Sequence, residues 1–377
     1  MNLLIVMDQF DSANNGTTIS AQRFAQALKE RGHQVRVVAG GPSGEDVYGL
    51  PVVHFLPIAE HIIRSQGMQF AKPCRQTLEE AIRWADVVHF MMPFPASKAG
   101  LKIAQELGVA HTAAFHVQPE NITSTLHLGH STRANELLYT RFRDDFYNQF
   151  THVHCPSKFI AGQLRQRGYT AKLHVISNGV ADRFRPCAVP RDPLLEGKYL
   201  ITMVGRLSEE KRQDVLIEAV RRCRHAQQIQ LVLAGQGPRY HALHRLGHKL
   251  PNPPVFGFYS PDELRDLLCM SDLYVHAADV EIEAIACLEA VACGLVPVIA
   301  DSPLSATSQF ALDGRSLFRA GDAAELAEKI DWWLDRPEER ARMGQVYAES
   351  ADQYRLENSA AKAEAMFLEA IRENARH

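Results

Sequence analysis

Residues 199–211 read YLITMVGRLSEEK, and they give the clearest indication of the architecture. An apolar run at Tyr199–Val204 is followed by Gly205-Arg206, and a helical pattern begins just before Lys211. This order is typical of a buried strand that leads through a short loop into a helix. A strand end beside a helix N-terminus would bring the two cations together with free backbone N–H groups, which suits a diphosphate. The alternative is a solvent-exposed Arg/Lys pair on a loop.

The same alternation of short apolar runs and longer amphipathic stretches recurs along the chain and predicts an α/β protein with two Rossmann-like domains. In the first series we expect strands at Leu3–Met7, Gln34–Val38, Val52–Phe55, Val87–Phe90, His111–Phe115 and His152–Cys155, and helices at Ser20–Arg31, Cys74–Trp84 and Ser97–Leu107. In the second series we expect strands at Tyr199–Val204, Ile229–Ala234, Leu273–His276 and Val296–Ala300, and helices at Lys211–Ala226, Pro261–Met270 and Leu288–Cys293.

A turn signal at Ile176-Ser177-Asn178-Gly179-Val180 separates the two series, and a proline-containing stretch follows it. We therefore expect an N-terminal domain at residues 1–176 and a C-terminal domain at residues 177–350. The remaining residues, 351–377, contain neither proline nor glycine and have a helical composition. The two predicted domains have similar lengths, as expected for a pair of related folding units.

The composition excludes several classes of protein. The chain has 377 residues, of which 46% are hydrophobic and 23% charged, so it can bury sizeable cores. The net charge of −3 gives no overall basic field for nucleic acid. The seven cysteines form no Cys-x-x-Cys pair, which argues against a disulfide framework or a zinc knuckle and favours a reducing compartment. We find no signal peptide and no apolar run of membrane-spanning length, so we expect a cytoplasmic protein, at most peripheral to a membrane.

A second stretch with candidate functional residues lies at residues 281–299, EIEAIACLEAVACGLVPVI. Glu281 and Glu289 are eight residues apart, and Glu289 lies on a helix of small apolar residues. An acid in such a helix is costly unless it is hydrogen-bonded, and a ribose diol would be a natural partner for Glu289, as sugar hydroxyls would for Glu281. The alternative is an acid at a helix N-terminus, which the helix dipole stabilises.

With these residues in place, the chain resembles the family-4 retaining glycosyltransferases of the GT-B fold. The similarity rests on Gly205-Arg206 with Lys211, on the Glu-x7-Glu pair, and on Gly-x-x-Pro-Val-Ile at residues 294–299. Leu233–Pro238 resembles the family's loop near the donor site, and Asn15-Gly16-Thr17 stands at its first glycine loop. The resemblance covers nearly the whole chain. It implies two parallel sheets that face each other across a cleft, and a helix at residues 351–377 that packs back on the first domain.

The resemblance also implies roles for individual residues. Arg206 and Lys211 would hold the donor diphosphate and stabilise it as the leaving group, while Glu281 and His116 would contact the donor sugar; these four are the expected catalytic residues. The expected donor-binding residues are Gly16, Thr17, Gly205, Gly235, Ala284, Ile285, Ala286 and Glu289. The family often has glycine at the position of Ala284, which leaves the choice of sugar open there. A lone histidine such as His116 would otherwise be a structural residue.

Two further expectations concern cofactors. Gly235-x-Gly237 follows a strand and could belong to a dinucleotide loop, but residue 240, where a third glycine would fall, is a tyrosine. The chain contains no Asp-x-Asp. We therefore expect no metal and no cofactor besides the nucleotide-sugar donor, because cations and helix-end N–H groups can stabilise the leaving diphosphate.

The implied reaction is the retaining transfer of a hexose, glucose from UDP-glucose, to a hydroxyl group. Residues 116–123 and 280–289 look most like bacterial glycosyltransferases that act on diacylglycerol-type lipids, and we expect the N-terminal domain to contact the membrane. Basic and apolar residues that would serve an interfacial surface, or an ordinary solvated helix face, are His61, Ile62, Ile63, Arg64, Met68, Phe70, Lys72, Arg75, Arg133, Arg141, Arg143 and Lys158. A soluble sugar or polysaccharide acceptor is the alternative. A non-catalytic sugar-nucleotide-binding protein is a third reading.

Overall fold

The structure, a computed structural model of the chain, describes residues 1–10, 16–56, 60, 69–124 and 131–376. It divides into two compact units, one formed by Met1–Gly179 with Leu356–His377 and one formed by Val180–Arg355. The first division lies three residues after the expected boundary at residue 176. Of the residues considered above, Asn15, His61, Ile62, Ile63, Arg64 and Met68 lie outside the described part of the chain.

The first unit is built on a parallel sheet in the order β3-β2-β1-β4-β5-β6-β7. Its strands are β1 Asn2–Val6, β2 Gln34–Gly40, β3 Val47–Leu50, β4 Val87–Phe90, β5 Ala110–Ala114, β6 His152–Cys155 and β7 Lys172–Val175. Its first described helices are α1 Gly16–Glu30, α2 Arg75–Trp84, α3 Pro95–Glu106, α4 Pro119–Ser124, α5 Thr132–Asp145 and α6 Lys158–Gln166. Helices cover a parallel sheet on both faces, which is why β4 and β6 are buried along their whole lengths.

The second unit is also built on a parallel sheet, in the order β10-β9-β8-β11-β13-β15, with a two-stranded parallel sheet of β12 and β14 beside it. Its strands are β8 Tyr199–Val204, β9 Ile229–Ala234, β10 Val255–Gly257, β11 Leu273–His276, β12 Val280–Glu281, β13 Pro297–Asp301, β14 Leu304–Ser305 and β15 Leu317–Arg319. Its described α-helices are α7 Gln213–Arg222, α8 Tyr240–Gly247, α9 Pro261–Met270, α10 Ile285–Ala292, α11 Ala323–Leu334 and α12 Pro337–Ser350.

The last helix, α13 Leu356–Asn374, belongs to the first unit. Its buried face joins the hydrophobic core formed by β1, β2 and α1, to which it contributes Ala360, Ala363, Met366 and Phe367. At the edge of this face, Glu364 accepts hydrogen bonds from Arg31 at 2.8 Å and 2.5 Å and contacts His33 at 2.9 Å. Apolar packing and a charged rim therefore hold the end of the chain on the sheet that contains its beginning.

Most expected elements are present, and the differences have local causes. The expected strand at Val52–Phe55 is wrong: the third strand is β3, which ends at Leu50, and Val52 forms only an isolated antiparallel bridge to Ala71. Pro51 explains the difference, because a proline has no N–H to donate to a strand ladder. The expected strands at Tyr199–Val204, Ile229–Ala234 and Leu273–His276 are confirmed.

Candidate active site

The carboxyl ends of β8, β9 and β11 lie along one edge of the second sheet, where the loops that follow them pack closely. Gly235 has a φ of +157°, and a Cβ at this position would lie 2.0 Å from the carbonyl oxygen of Gly205. A Cβ on Gly237 would lie 2.4 Å from the carbonyl oxygen of Leu207. Both glycines are therefore required for the two backbones to approach each other. Contact of Gly205 or Gly235 with a donor stays a prediction.

Arg206 lies in the loop after β8 and is held by an acid from the same loop. Its Nη2 donates to Glu210 Oε1 at 2.7 Å, and the Ser208 hydroxyl donates to the same oxygen at 2.6 Å. Burial alone would raise the pKa of Glu210, but the charges of Arg206 and Lys211 and these hydrogen bonds together hold its pKa below the ordinary value. Glu210 is thus an anion that holds Arg206 and interacts electrostatically with Lys211.

Helix α7, which follows the Arg206 loop, begins later than expected. Residues Glu209–Lys211 form a single 3-10 turn, and α7 begins only at Gln213. Between them Arg212 takes a left-handed conformation with a φ of +54°, and its Nη1 donates to Asp279 Oδ2 at 2.7 Å. The helix expected at residues 211–226 is therefore shorter at both ends, ending at Arg222. The left-handed residue turns the chain so that Lys211 stands apart from α7.

Lys211, Glu281 and His276 form the most tightly connected group at this edge. Lys211 Nζ pairs with Glu281 Oε1, and His276 Nε2 lies 3.0 Å from the same oxygen. His276 ends β11 and is buried, and its Nδ1 lies 3.1 Å from the Tyr274 hydroxyl. The two ring nitrogens of His276 therefore face different partners, Nδ1 the Tyr274 hydroxyl and Nε2 the Glu281 carboxylate. These contacts fix Glu281 from two sides.

The electrostatics of this group keep Glu281 ionised. Burial would raise its pKa, but the Lys211 charge and the His276 hydrogen bond outweigh burial and lower the pKa of Glu281 to about 2. Tyr274 behaves in the opposite way, since burial, with the charges of Cys287, Glu281 and Glu289, raises its pKa well above the ordinary value. Tyr274 therefore remains a hydroxyl. Both carboxylates of the Glu-x7-Glu pair act electrostatically on Tyr274.

Helix α10 supplies the other expected donor-binding groups. It begins at Ile285, three residues earlier than expected, because Ala284 caps it in a left-handed conformation with a φ of +70°. An L-residue pays roughly 1–2 kcal/mol there, so glycine would fit this position better. The amides of Ile285 and Ala286 lie in the first helical turn, where N–H groups have no acceptor within the helix. Glu289, in the same helix, is buried.

His116 belongs to the first unit and lies two residues after the end of β5. It is buried, its Nε2 has no hydrogen-bond partner, and its ring lies edge-on to His154 at 5.1 Å between centroids. Burial, followed by the charges of His154 and His89, lowers the pKa of His116 well below the ordinary value, so the ring is neutral. His154 Nε2 in turn lies 2.6 Å from the carbonyl oxygen of Ile176. His116 thus sits in a cluster of buried histidines that the sequence did not reveal.

The other expected residues of the first unit, Gly16 and Thr17, form the first turn of α1. A Cβ on Gly16 would meet nothing within 4 Å, so packing does not require glycine at this position. Asp8, two residues after β1, was not expected and is buried, with Oδ1 accepting from the Ala71 amide at 3.0 Å and Oδ2 without a partner. Burial raises the pKa of Asp8 to about 7.

Several basic residues expected to face a lipid surface are paired with acids. Arg75 Nη2 lies 2.5 Å from Glu106, Arg141 Nε 3.3 Å from Asp145, and Arg143 Nε 2.7 Å from the neighbouring Asp144. Phe70 packs edge-on between two other rings of its own unit, with centroids 5.8 Å and 5.1 Å away. Within the described residues, no helix is long and apolar enough to cross a membrane.

Sequence reasoning missed three residues of the second unit: Glu210, Tyr274 and His276. A signal was available for His276, since it ends a confidently expected strand and the carboxyl ends of parallel strands meet at one edge. Its partner Lys211 is far away in the sequence, so the contact itself could not be read from spacing. The structure joins Lys211 to Glu281, and Arg206 lies in the same loop as Lys211. Glu289 lies in the same unit, whereas His116, Gly16 and Thr17 belong to the first unit.

Two family models match the chain in succession. Residues 14–184 match the model described as Glycosyltransferase Family 4, and residues 189–349 match the model described as Glycosyl transferases group 1. The first match lies in the unit that carries His116, apart from its last residues, and the second lies in the unit that carries Arg206, Lys211 and Glu281. Each match therefore follows one of the two sheets.

Curated relatives and solved structures agree with these matches. A GDP-mannose-dependent alpha-mannosyltransferase of Corynebacterium glutamicum is 26% identical over 350 residues, covering 89% of this chain and 81% of that protein. An alpha-monoglucosyldiacylglycerol synthase of Streptococcus pneumoniae is 23% identical over 321 residues, covering 80% of this chain and 71% of that protein. The structure of Anabaena HepE in complex with UDP-glucose superposes with a TM-score of 0.74 at 17% identity, covering 97% and 99% of the two chains. The chain is therefore a glycosyltransferase, and it belongs to the family-4 glycosyltransferases of the GT-B fold.

Proposed function

We propose that the protein is a retaining, metal-independent hexosyltransferase that moves glucose from UDP-glucose to a hydroxyl of a diacylglycerol-type lipid. The proposed donor site rests on two ion pairs at the edge of the second sheet. Lys211 pairs with Glu281, and Arg206 pairs with Glu210. Two cations and free helix-end amides form a site for a diphosphate, and a buried carboxylate beside them forms a site for sugar hydroxyls.

The chemistry follows from where charge develops. Cleavage of the anomeric C–O bond leaves negative charge on the diphosphate while the sugar becomes oxocarbenium-like. Arg206 and Lys211 stabilise that charge without a metal, and the amides of Ile285 and Ala286 add positive potential. Glu281 would accept hydrogen bonds from the sugar hydroxyls, and Glu289 from the ribose diol. The resemblance to retaining enzymes supports retention, in which a donor phosphate oxygen receives the acceptor's proton.

The first unit is proposed to bind the acceptor, and its His116 is proposed to contact the donor sugar, as the family resemblance implies. His116 and Asp8 each carry a buried polar atom without a hydrogen-bond partner, and both follow the carboxyl ends of strands in one sheet. A buried polar atom without a hydrogen-bond partner lowers the stability of the fold. A substrate that forms hydrogen bonds with these two atoms would explain why the chain has polar side chains at these positions. Gly16 and Thr17, at the start of α1, stay proposed as donor-binding residues. The lipid itself is supported by the diacylglycerol-specific name of the Streptococcus pneumoniae relative.

A second donor is favoured by a specific observation. The mannosyltransferase of Corynebacterium glutamicum, which is named for GDP-mannose, covers more of this chain than the diacylglycerol enzyme does. The diphosphate and hexose contacts proposed here would serve GDP-mannose as well, so Arg206, Lys211 and Glu281 do not discriminate between the two donors. The base-binding and sugar-binding residues would, and Ala284 is one of the latter.

A mass-spectrometric transfer assay tests both parts. Purified protein receives UDP-glucose, UDP-galactose, UDP-N-acetylglucosamine or GDP-mannose in separate reactions, with EDTA present throughout and diacylglycerol in anionic vesicles. We expect a hexosyl-lipid product from UDP-glucose only. Cholesterol vesicles and soluble oligosaccharides replace diacylglycerol in parallel reactions, and a product there would move the acceptor assignment. Co-sedimentation with the same vesicles tests the proposed peripheral contact of a cytoplasmic protein with the inner face of the membrane.

A further inference from the structure

A second cluster of metal-ligating side chains lies in the first unit. His152 is the first residue of β6 and His174 the third of β7, and the pairing of β6 with β7 places both on one face of the sheet. Helix α13 packs on that sheet with Glu369 and Glu373, one turn apart, directed at the two histidines. Three separate elements therefore contribute to one cluster of two imidazoles and two carboxylates.

The contacts within the cluster are short and ordered. His152 Nδ1 lies 2.9 Å from His174 Nε2, and His152 Nε2 lies 3.0 Å from Glu373 Oε2. Glu369 Oε1 accepts from Lys172 Nζ at 2.5 Å. One ligand atom each from His152, His174 and Glu369 lie within 4.8 Å of one another. His152 is almost fully buried, so its orientation is fixed, whereas Glu369 reaches solvent and leaves an entry path.

This arrangement has the pattern of a metal site. In metal sites a ligating histidine usually donates its second N–H to a carboxylate, which fixes the tautomer, and Glu373 holds His152 in that way. Nδ1 of His152 is then a lone-pair donor that points at Nε2 of His174. In a tetrahedral site with bonds of about 2.0–2.1 Å the two nitrogens would stand roughly 3.3 Å apart, so this pair would separate by about 0.4 Å. The Glu369 oxygen lies within 4.8 Å of both nitrogens and would move towards them.

We propose that His152 Nδ1, His174 Nε2 and a carboxylate oxygen of Glu369 bind one zinc-type divalent cation. Two imidazoles and one carboxylate are a ligand set that zinc prefers, and water would occupy the fourth position. The cation takes the place of the proton that the two imidazoles share, and His174 changes tautomer so that its one proton moves from Nε2 to Nδ1. Lys172 keeps the other carboxylate oxygen of Glu369.

The role of this cation is to fasten α13, not to take part in transfer. His152 stands at the amino end of β6, whereas the edge that carries His116 is formed by the carboxyl ends of the strands. A metal at this position joins β6 and β7 to the helix that returns the chain to its first unit. The proposed transfer reaction stays metal-independent, so the two proposals fail or stand separately.

Thermal unfolding and metal analysis test the proposal on the full chain. The protein is stripped with EDTA, dialysed, and heated with zinc chloride or magnesium chloride. At zinc concentrations about a hundredfold above Kd we expect the melting temperature of the wild type to rise by roughly 5 °C. Magnesium should have no effect, because it prefers oxygen ligands. Equilibrium dialysis should retain a single zinc per chain.

Variants separate this cluster from other ligands. His174→Ala and the size-preserving Glu369→Gln should abolish the zinc-dependent rise, while His111→Ala, a half-buried histidine on β5 outside the cluster, should retain it. Cobalt in place of zinc should give an absorption spectrum without a thiolate charge-transfer band. That result would show that none of the free cysteines is a ligand of the metal. No zinc effect in the wild type, or an equal effect in Glu369→Gln, would show that the cluster is a hydrogen-bonded network only.

Discussion

Replacing Lys211 by methionine removes a cation from the donor site and keeps a side chain of similar length. Glu281, whose side chain is 13% exposed, would lose Lys211 Nζ and keep only His276 at 3.0 Å. Breaking a buried ion pair costs about 3–5 kcal/mol, and the remaining hydrogen bond places the cost near the lower limit, at about 3 kcal/mol. For a unit of the size of Val180–Arg355, this corresponds to a melting temperature lower by roughly 6–12 °C.

A double variant separates stability from catalysis. Lys211→Met combined with Glu281→Gln removes both charges, and replacing a buried pair by neutral groups is often close to neutral for stability. We expect its free energy of unfolding to return to within about 1 kcal/mol of the wild type. Hexose transfer should nevertheless stay about 10²–10³-fold below the wild type, because the cation that faces the leaving diphosphate and the carboxylate that faces the sugar are both absent.

Calorimetry and the transfer assay at saturating donor measure the two quantities on the same preparations. Lys29→Met is the matched control, since it breaks an exposed pair with Asp46 at 2.6 Å and should change stability by less than about 1 kcal/mol and transfer not at all. If the double variant regains transfer together with stability, Lys211 serves only to pair with Glu281. The assignment of Lys211 to the diphosphate would then be refuted.

Three further outcomes follow from single positions. Gly235→Ala should lower the melting temperature by several degrees, because the new Cβ would lie 2.0 Å from a backbone oxygen. Gly314→Ala is the control and should leave the melting temperature unchanged, since its Cβ would have nothing within 4 Å; thermal unfolding measures both. The stability difference between wild type and Glu281→Gln should be constant above pH 4.5 and shrink as the pH falls towards about 2, because the folded-state pKa is depressed; urea unfolding across that range measures it. Glu289→Gln should raise the KM for the donor about tenfold with little change in kcat, if Glu289 binds the ribose diol equally in ground and transition states; steady-state kinetics decide.

The elements of the fold could be predicted where a single signal dominated. The strand at Leu273–His276 is buried on both faces, so its apolar run identified it correctly. The prediction of a strand at Val52–Phe55 was wrong. It relied on the apolar run and gave too little weight to Pro51, which has no backbone N–H to donate to a strand ladder. Helix starts were displaced for a related reason: Arg212 and Ala284 adopt left-handed conformations that neither residue type favours, so the sequence carried no signal for them.

The candidate site was predictable as residue types and not as contacts. Arg206, Lys211, Glu281 and Glu289 were found because their spacing is distinctive in the sequence. The partners that fix them were not found, since Lys211 and Glu281 are 70 residues apart and His276 acts through its position at the end of β11. The ion pairs at the surface were not predicted either. Arg75 and Arg141 have acidic partners, which weakens the argument that they form a lipid-facing patch.

The proposed transfer requires that the carboxyl edge of the second sheet bind a nucleoside diphosphate through Arg206 and Lys211. Titration calorimetry of UDP into the wild type and into Arg206→Gln tests it most directly, with thermal unfolding as the check that the variant is folded. Loss of one charge-assisted hydrogen bond costs about 1.5–3 kcal/mol, so the account predicts UDP binding that is roughly 10–100-fold weaker in the variant. Equal affinity in both proteins would contradict it.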